Sequence, residues 1–159
     1  MTAPLALLDT AVRPEWIDLN DHMNVAYYVL AFDLATDALF DRLDIGRCHV
    51  AEDRQSMFAL EVHVRYTAEL CLGDRLRVTC QLLDADEKRL HFFHRMVRSD
   101  GVAAATSEWL ALHVALGSRK ATPFPAAVRT RIAALAAAQA TLPMPAEAGR
   151  TIGIRRPPG

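Results

Sequence analysis

Between Asp18 and Tyr27 the chain gathers carboxylates, a histidine and two asparagines where a helix must begin: Asp18-Leu19-Asn20-Asp21-His22-Met23-Asn24-Val25-Ala26-Tyr27. The first backbone N–H groups of a helix have no partner within it, and the positive end of its dipole points outward there. Carboxylates and amides at such a place suit a reaction that develops negative charge on an oxygen. The same residues also suit a well-capped helix start and nothing more. Asp18 is either a nucleophile or base, ionised at neutral pH, or the cap of a turn. Asn20, His22 and Asn24 either orient Asp18, a water or a bound carbonyl, or bond their own backbone. For Asn24 capping is the favoured reading, and for His22 function is. A metal site from Asp18, His22 and a strand histidine is disfavoured, because no second ligand follows at helical spacing. No metal and no separate cofactor are expected.

The elements that must hold this segment follow from periodicity. Asn24 is a good N-cap for a helix to about Leu43. Val25, Tyr28, Val29, Phe32, Thr36, Leu39, Phe40 and Leu43 form its apolar stripe, Asp33, Asp37 and Asp41 mark the other side, and Gly46 ends it. Over Met57–Tyr66 the period changes to two. Phe58, Leu60, Val62, Val64 and Tyr66 form the core face, and Glu61, His63 and Arg65 the other. Further strands are expected at Arg75–Leu83, Lys88–Arg98 and Val102–Leu116, the last two joined by a turn at Ser99-Asp100-Gly101. Pro123-Phe124-Pro125 introduces an alanine-rich helix near Ala126–Ala140. The expected organisation is one domain over residues 1–142 and a proline-rich mobile tail over 143–159. The fold class is α+β: an antiparallel sheet wrapped around one long helix, with an extra C-terminal helix. Such a sheet has open edges, for which an edge-to-edge dimer is the natural remedy.

Composition narrows the function classes. The 159 residues suffice for one core, and 52% hydrophobic with 23% charged residues is the balance of a globular domain. A net charge of −1, with both signs interspersed, does not favour a nucleic-acid partner. No apolar run is long enough to span a membrane, and the N-terminus lacks the basic region of a secretory signal. Cys48, Cys71 and Cys80 show neither a disulfide framework nor zinc spacing. The expected location is the cytoplasm.

The pattern Asp18-x-Asn20-x-His22-Met23-Asn24-x-x-Tyr27, with the strand order that follows, resembles the hotdog-fold acyl-CoA thioesterases of the 4-hydroxybenzoyl-CoA type, over roughly residues 8–117. More closely, Pro14-Glu15-Trp16-Ile17-Asp18 and His22-Met23-Asn24-Val25-Ala26-Tyr27-Tyr28 resemble the betainyl-CoA thioesterases that accompany carnitine breakdown. Leu60-Glu61-Val62-His63, Lys88-Arg89-Leu90-His91 and Pro123-Phe124-Pro125 extend that pattern. Asp21 departs from it, standing where the family has glycine, though aspartate tolerates left-handed backbone better than most residues.

The resemblance implies a hydrolase acting on a small acyl-CoA, as a homodimer or homotetramer, with Asp18 as nucleophile or base. It places the Val25 backbone amide against the oxyanion and His22 and Asn24 beside the reacting group. Asn20 and Tyr28 would line the substrate site. Glu61 and His63 would face it from a partner chain, Glu61 as counter-charge to a cationic acyl group among aromatic walls. Lys88 and Arg89 would meet the phosphates of coenzyme A. Residue types alone leave Glu61, His63, Lys88 and Arg89 as solvated surface. Neutral medium-chain or aromatic acyl groups remain alternatives, as does a non-catalytic acyl-binding hotdog domain, against which Asp18 counts. Hotdog hydratases place the histidine five residues after the aspartate; here His22 follows Asp18 by four.

Overall fold

A computed structural model describes residues 3–154 and 156. A strand, β1 (Leu5–Ala11), leads through a one-turn 3-10 helix at Pro14–Trp16 into the long helix α1 (Val25–Arg42). A short helix α2 (Arg47–Glu52) precedes β2 (Gln55–Tyr66), β3 (Arg75–Ala85), β4 (Arg89–Arg98), β5 (Ala103–Ala115), a two-residue β6 (Lys120–Ala121) and helix α3 (Ala126–Gln139). The sheet is antiparallel, ordered β1-β3-β4-β5-β2, with β6 beside β5. The expected α+β fold is therefore the observed one, with boundaries moved by a few residues. The sequence reading lacked α2 and β6, each too short to establish a period.

The sheet closes on α1 through Tyr28, Ala31, Phe32, Ala35, Thr36 and Leu39, all buried. The buried stripe is rotated towards the alanines from the expected one, and Val25 and Val29 are exposed. Small side chains let the helix backbone approach a curved sheet, so Ala31 and Ala35 are fully enclosed beside Phe32, Val78, Phe92 and Met96. Asp44, in left-handed backbone (φ 58°), follows the end of the helix, ahead of the expected terminator Gly46. Gly46 serves another purpose: a Cβ there would collide with the Asp41 carboxylate.

β2 departs from strict alternation. Its register on β5 shifts between Ala59 and Glu61, so Leu60 is an extra residue. Before this bulge Ala59 pairs with buried Ala111; after it Val62 pairs with buried Trp109. The helix-facing positions therefore change from odd to even along one strand. Phe58 and Leu60, expected in the core, leave it, and Arg119 lies over the Phe58 ring at 5.1 Å. β2 is also an edge strand, with Leu60, Val62 and Tyr66 53%, 39% and 47% exposed.

Helix α3 packs along β3, with Val128 and Ile132 joining the core, and the segment after it lies on the outer face of the sheet. Gln139 takes over the edge of β3 where the pairing with β1 ends at Cys80, accepting from Leu82 N at 2.8 Å and donating to Cys80 O at 3.3 Å. The tail expected to be mobile is tied down over its first part. Glu147 takes both terminal nitrogens of Arg95, at 3.0 and 2.8 Å, and Gly149 N donates to Glu108 at 2.7 Å. Proline content lowers helix propensity, but it does not prevent docking through side chains on the sheet. Residues 155 and 157–159 of that expected tail lie outside the described residues.

Candidate active site at the start of the long helix

The polar segment folds as a cinched loop. Ile17 and Met23 form a β-bridge, Asp18 N donates to His22 O at 3.1 Å, and Asp21 N donates to Asp18 O at 3.2 Å. Turning back so tightly requires left-handed backbone at Asp21, whose φ is 61°. That is the position at which the family pattern carries glycine, and it explains the departure: aspartate is among the few other residues that enter this region routinely. The loop is then anchored from both sides, Met23 N to Leu70 O at 2.7 Å and Asn24 N to Trp16 O at 2.9 Å. Beneath it Trp16 is buried and stacks on Tyr27, ring centroids 5.7 Å apart.

Inside this frame the Asp18 carboxylate is fixed at both oxygens. Oδ1 accepts from Asn20 N at 2.8 Å and Oδ2 from Asn24 Nδ2 at 3.4 Å. Asn24 faces two ways, because its Oδ1 accepts from Ala26 N at 3.0 Å and caps α1. Both readings of Asn24 thus hold in one side chain: it caps the helix and it orients the carboxylate. The Val25 N–H, at the first helical position, has no acceptor among the described residues, and Val25 is exposed. A held carboxylate beside an open helix-N-terminal amide is the pairing that attack on a carbonyl needs: one group delivers the nucleophile, the other meets the developing oxyanion.

The other expected site residues divide. Asn20 contributes its backbone to Asp18. The His22 ring makes no hydrogen bond to Asp18; the contribution of His22 to the loop is its carbonyl. Tyr28 is buried, not on the site surface, and its hydroxyl donates to Ala68 O at 3.2 Å while accepting from Leu70 N at 3.0 Å. It braces the loop that carries the anchor Leu70, so its part is structural. Glu61 pairs with Leu110 and His63 with Glu108 on the sheet face turned away from α1. Within one chain they are not brought to Asp18; they line an outer groove with His91 and Arg150. Arg89 is engaged by Asp86, which accepts its Nε at 2.7 Å, and that guanidinium holds the Asp86 carboxyl down at about 2. Lys88 lies 3.7 Å from Glu87. Lys88 in the β3–β4 turn and Arg89 at the start of β4 are thus each already paired with an acidic neighbour. Among the described residues no group of three His, Cys, Asp or Glu is placed to hold a metal ion.

One feature escaped the sequence reading. A cavity of about 320 Å³ opens between α1, α2 and the β2–β5 pair, with Asp33, Asp37, Phe40, Met57 and Trp109 in its walls. Partial burial, and then the neighbouring Asp37 charge, raise the pKa of the Asp33 carboxyl. The aspartates repeat every fourth residue, a spacing that reads as a solvated helix face until the bulged strand and α2 are seen to wall it in.

The model of the thioesterase-like superfamily matches residues 12–132. The chain belongs to that family. It is 40% identical to a betainyl-CoA thioesterase of Pseudomonas aeruginosa, over 97% of this chain and 98% of that one. It is 38% identical to an L-carnitine dehydrogenase/betainyl-CoA thioesterase of Rhizobium meliloti, over 98% of this chain but 31% of that longer protein. Among solved structures, a Staphylococcus aureus protein in complex with CoA superposes with a TM-score of 0.89 at 29% identity, covering 98% of this chain and 99% of that one. The protein is a thioester hydrolase with a hotdog fold, and the matched region of this family member contains the whole Asp18–Val25 loop. No helix among the described residues is long and apolar enough to cross a membrane.

Proposed function

We propose that the protein hydrolyses betainyl-CoA to betaine and coenzyme A. The observation that carries this reading is the match to the Pseudomonas aeruginosa thioesterase, at 40% identity over 97% of this chain and 98% of that one. In this reading the thioester carbonyl lies over the start of α1, its oxygen on the Val25 N–H. The Asp18 carboxylate, oriented by Asn20 N and Asn24 Nδ2, attacks the carbonyl carbon directly or takes a proton from the water that does. Collapse of the tetrahedral intermediate expels the coenzyme A thiolate, a good leaving group needing little acid assistance; after direct attack the acyl group is left on Asp18 as an anhydride, which a water then cleaves to release the acid and restore the carboxylate.

The working unit is a homodimer joined through β2. The observations that support it are the unpaired β2 edge with exposed Leu60, Val62 and Tyr66, and the exposed Val29, Leu30 and Leu34 on α1. An edge strand of this length and apolarity is an aggregation hazard unless covered, and pairing with a second β2 covers it.

The test is hydrolysis of betainyl-CoA beside 3,3-dimethylbutanoyl-CoA, its neutral isostere, by wild type and Asp18→Asn, with thiol release as the readout. Wild type should favour betainyl-CoA in kcat/KM, and the variant should lose at least about a thousandfold in kcat while keeping its fold. Preference for the neutral thioester would overturn the substrate, and near-normal turnover by Asp18→Asn would overturn the mechanism.

A further inference from the structure

The positive charge of a betainyl group has to be met somewhere, and Glu61, the residue that the sequence offered for it, lies on the outer face of its own chain's sheet. The cavity beside α1 offers a different one. We propose that this cavity, through Asp33 and Asp37 with the Trp109 and Phe40 rings, receives the quaternary ammonium of the acyl group, and that each cavity serves the Asp18 of the partner chain. This rests on the substrate reading above and names the residues that would give it its selectivity.

A quaternary ammonium has no N–H and cannot be held by hydrogen bonds. It is recognised by aromatic faces and by carboxylates close enough to act through partly desolvated space. The cavity supplies both. Phe40 and Trp109 belong to its walls, and its volume of about 320 Å³ is at the small end of ligand sites, as a compact head group requires. Three aspartates line it against one basic residue, Arg47, whose backbone N–H is bonded to Asp41 Oδ1 at 3.3 Å. The Asp33 and Asp37 carboxylates have no hydrogen bond or ion pair among the described residues. Two neighbouring carboxylates, one of them partly buried, without a counter-ion are unfavourable for the empty protein. A bound cation relieves that cost, and an uncharged acyl group does not.

The partner chain enters through distance. The ammonium nitrogen of a betainyl group is two bonds from the carbonyl carbon, roughly 2.5 Å away. Asp33 lies eight residues beyond Val25 on the same helix, about 12 Å along its axis at the usual rise per residue. A thioester on one chain's Val25 amide therefore cannot place so short a group against the same chain's Asp33. The two-fold pairing of β2 edges solves this. It sets the strands antiparallel, so the Ser56–Ala59 end of one β2 lies beside the Tyr66 end of the other. The first end lines the cavity, and the second touches the start of α1, where the Tyr66 hydroxyl donates to Val25 O at 3.4 Å. Each cavity then opens towards the catalytic loop of the opposite chain.

Two measurements decide. In the first, Asp33→Asn and Asp37→Asn are compared with wild type on betainyl-CoA and 3,3-dimethylbutanoyl-CoA. The ratio of the two kcat/KM values should fall about tenfold or more in Asp33→Asn, equivalent to about 1.4 kcal/mol or more of discrimination, and in the same direction in Asp37→Asn. Both rates are read on one enzyme, so partial loss of folded protein cancels. An unchanged ratio overturns the receptor, and an equal fall on both thioesters assigns Asp33 to bond breaking or folding and also overturns it. If wild type shows no preference for betainyl-CoA, the substrate reading itself has failed; if it does and the variants keep it, only the receptor has.

In the second, separately tagged Asp18→Asn and Asp33→Asn chains are assembled into mixed dimers. With shared sites, one of the two sites has both aspartates intact, and wild-type selectivity returns with roughly half the wild-type betainyl-CoA activity. Mixed dimers that keep the selectivity of Asp33→Asn would place both residues in one chain's site and overturn the shared arrangement.

Discussion

Lowering the pH should destabilise this protein through one residue under the helix, His94. The ring is fully buried, 6.0 Å from Phe32, 5.2 Å from Phe92 and 6.3 Å from Trp109 between centroids. Its Nε2 is 2.9 Å from Thr36 Oγ1, whose own hydrogen goes to Phe32 O at 2.9 Å. The hydroxyl has one proton to give, so the histidine is the donor and is neutral with hydrogen on Nε2. Burial among apolar rings disfavours the imidazolium and pushes the pKa down to about 3 from 6.5. The sign follows from comparing the two states. The unfolded chain takes up a proton as pH falls through about 6.5, whereas the folded chain does so only near 3. The contribution of His94 is thus complete above that upper value and is lost progressively below it. Each unit of the window is worth about 1.4 kcal/mol, so going from about pH 7.5 to about pH 5.0 should cost roughly 2 kcal/mol at this residue. His113, also pushed down mainly by burial, adds to the loss in the same direction. The assay is urea unfolding at the two pH values for wild type and His94→Gln, which cannot titrate. The wild type should lose about 2 kcal/mol more than the variant over that interval. An equal loss in both would mean that His94 is already protonated in the folded state, and the buried-neutral argument would be wrong.

The loop gives two further tests. Asn24→Ala removes the cap on Ala26 N and one donor to Asp18, and should lower stability by about 1 kcal/mol together with a fall in kcat. Asn24→Asp keeps a capping oxygen but sets a second carboxylate beside Asp18; thermal melting should stay near wild type while turnover drops. A variant that melts normally and turns over normally would show that Asn24 does not orient Asp18. At Asp21, whose φ is 61°, glycine should be tolerated and valine should cost about 1–2 kcal/mol, since a β-branched residue is poorly accommodated in left-handed backbone. Equal melting temperatures for the two variants would show that the turn does not depend on that conformation.

What the sequence disclosed, and what it withheld, sort by the range of the interactions involved. The cap at Asn24, the left-handed turn at Asp21 and the start of α1 are set by bonds between residues a few positions apart, and local pattern suffices to read them. The strands of the sheet announce themselves for the same reason, since side-chain alternation is a property of each strand alone. The faces of β2 were not legible, because a single extra residue, Leu60, reverses the parity, and only the pairing partner β5 reveals the insertion. That one residue keeps Met57 and Ala59 facing the helix before the bulge, and Glu61 and His63 turned outward after it. The acidic repeat Asp33, Asp37, Asp41 was visible as a pattern but not as a wall. Its meaning depends on α2, too short to predict, and on Trp109, far along the chain on β5. Chemistry placed at a helix terminus can thus be read locally, whereas the shape that selects the acyl group is assembled from distant segments. In the proposed dimer part of that shape is supplied by the second chain. Residues of the catalytic loop should accordingly govern kcat for every thioester, while residues of the cavity should change the ranking among thioesters, and only the second class should depend on which two chains are paired.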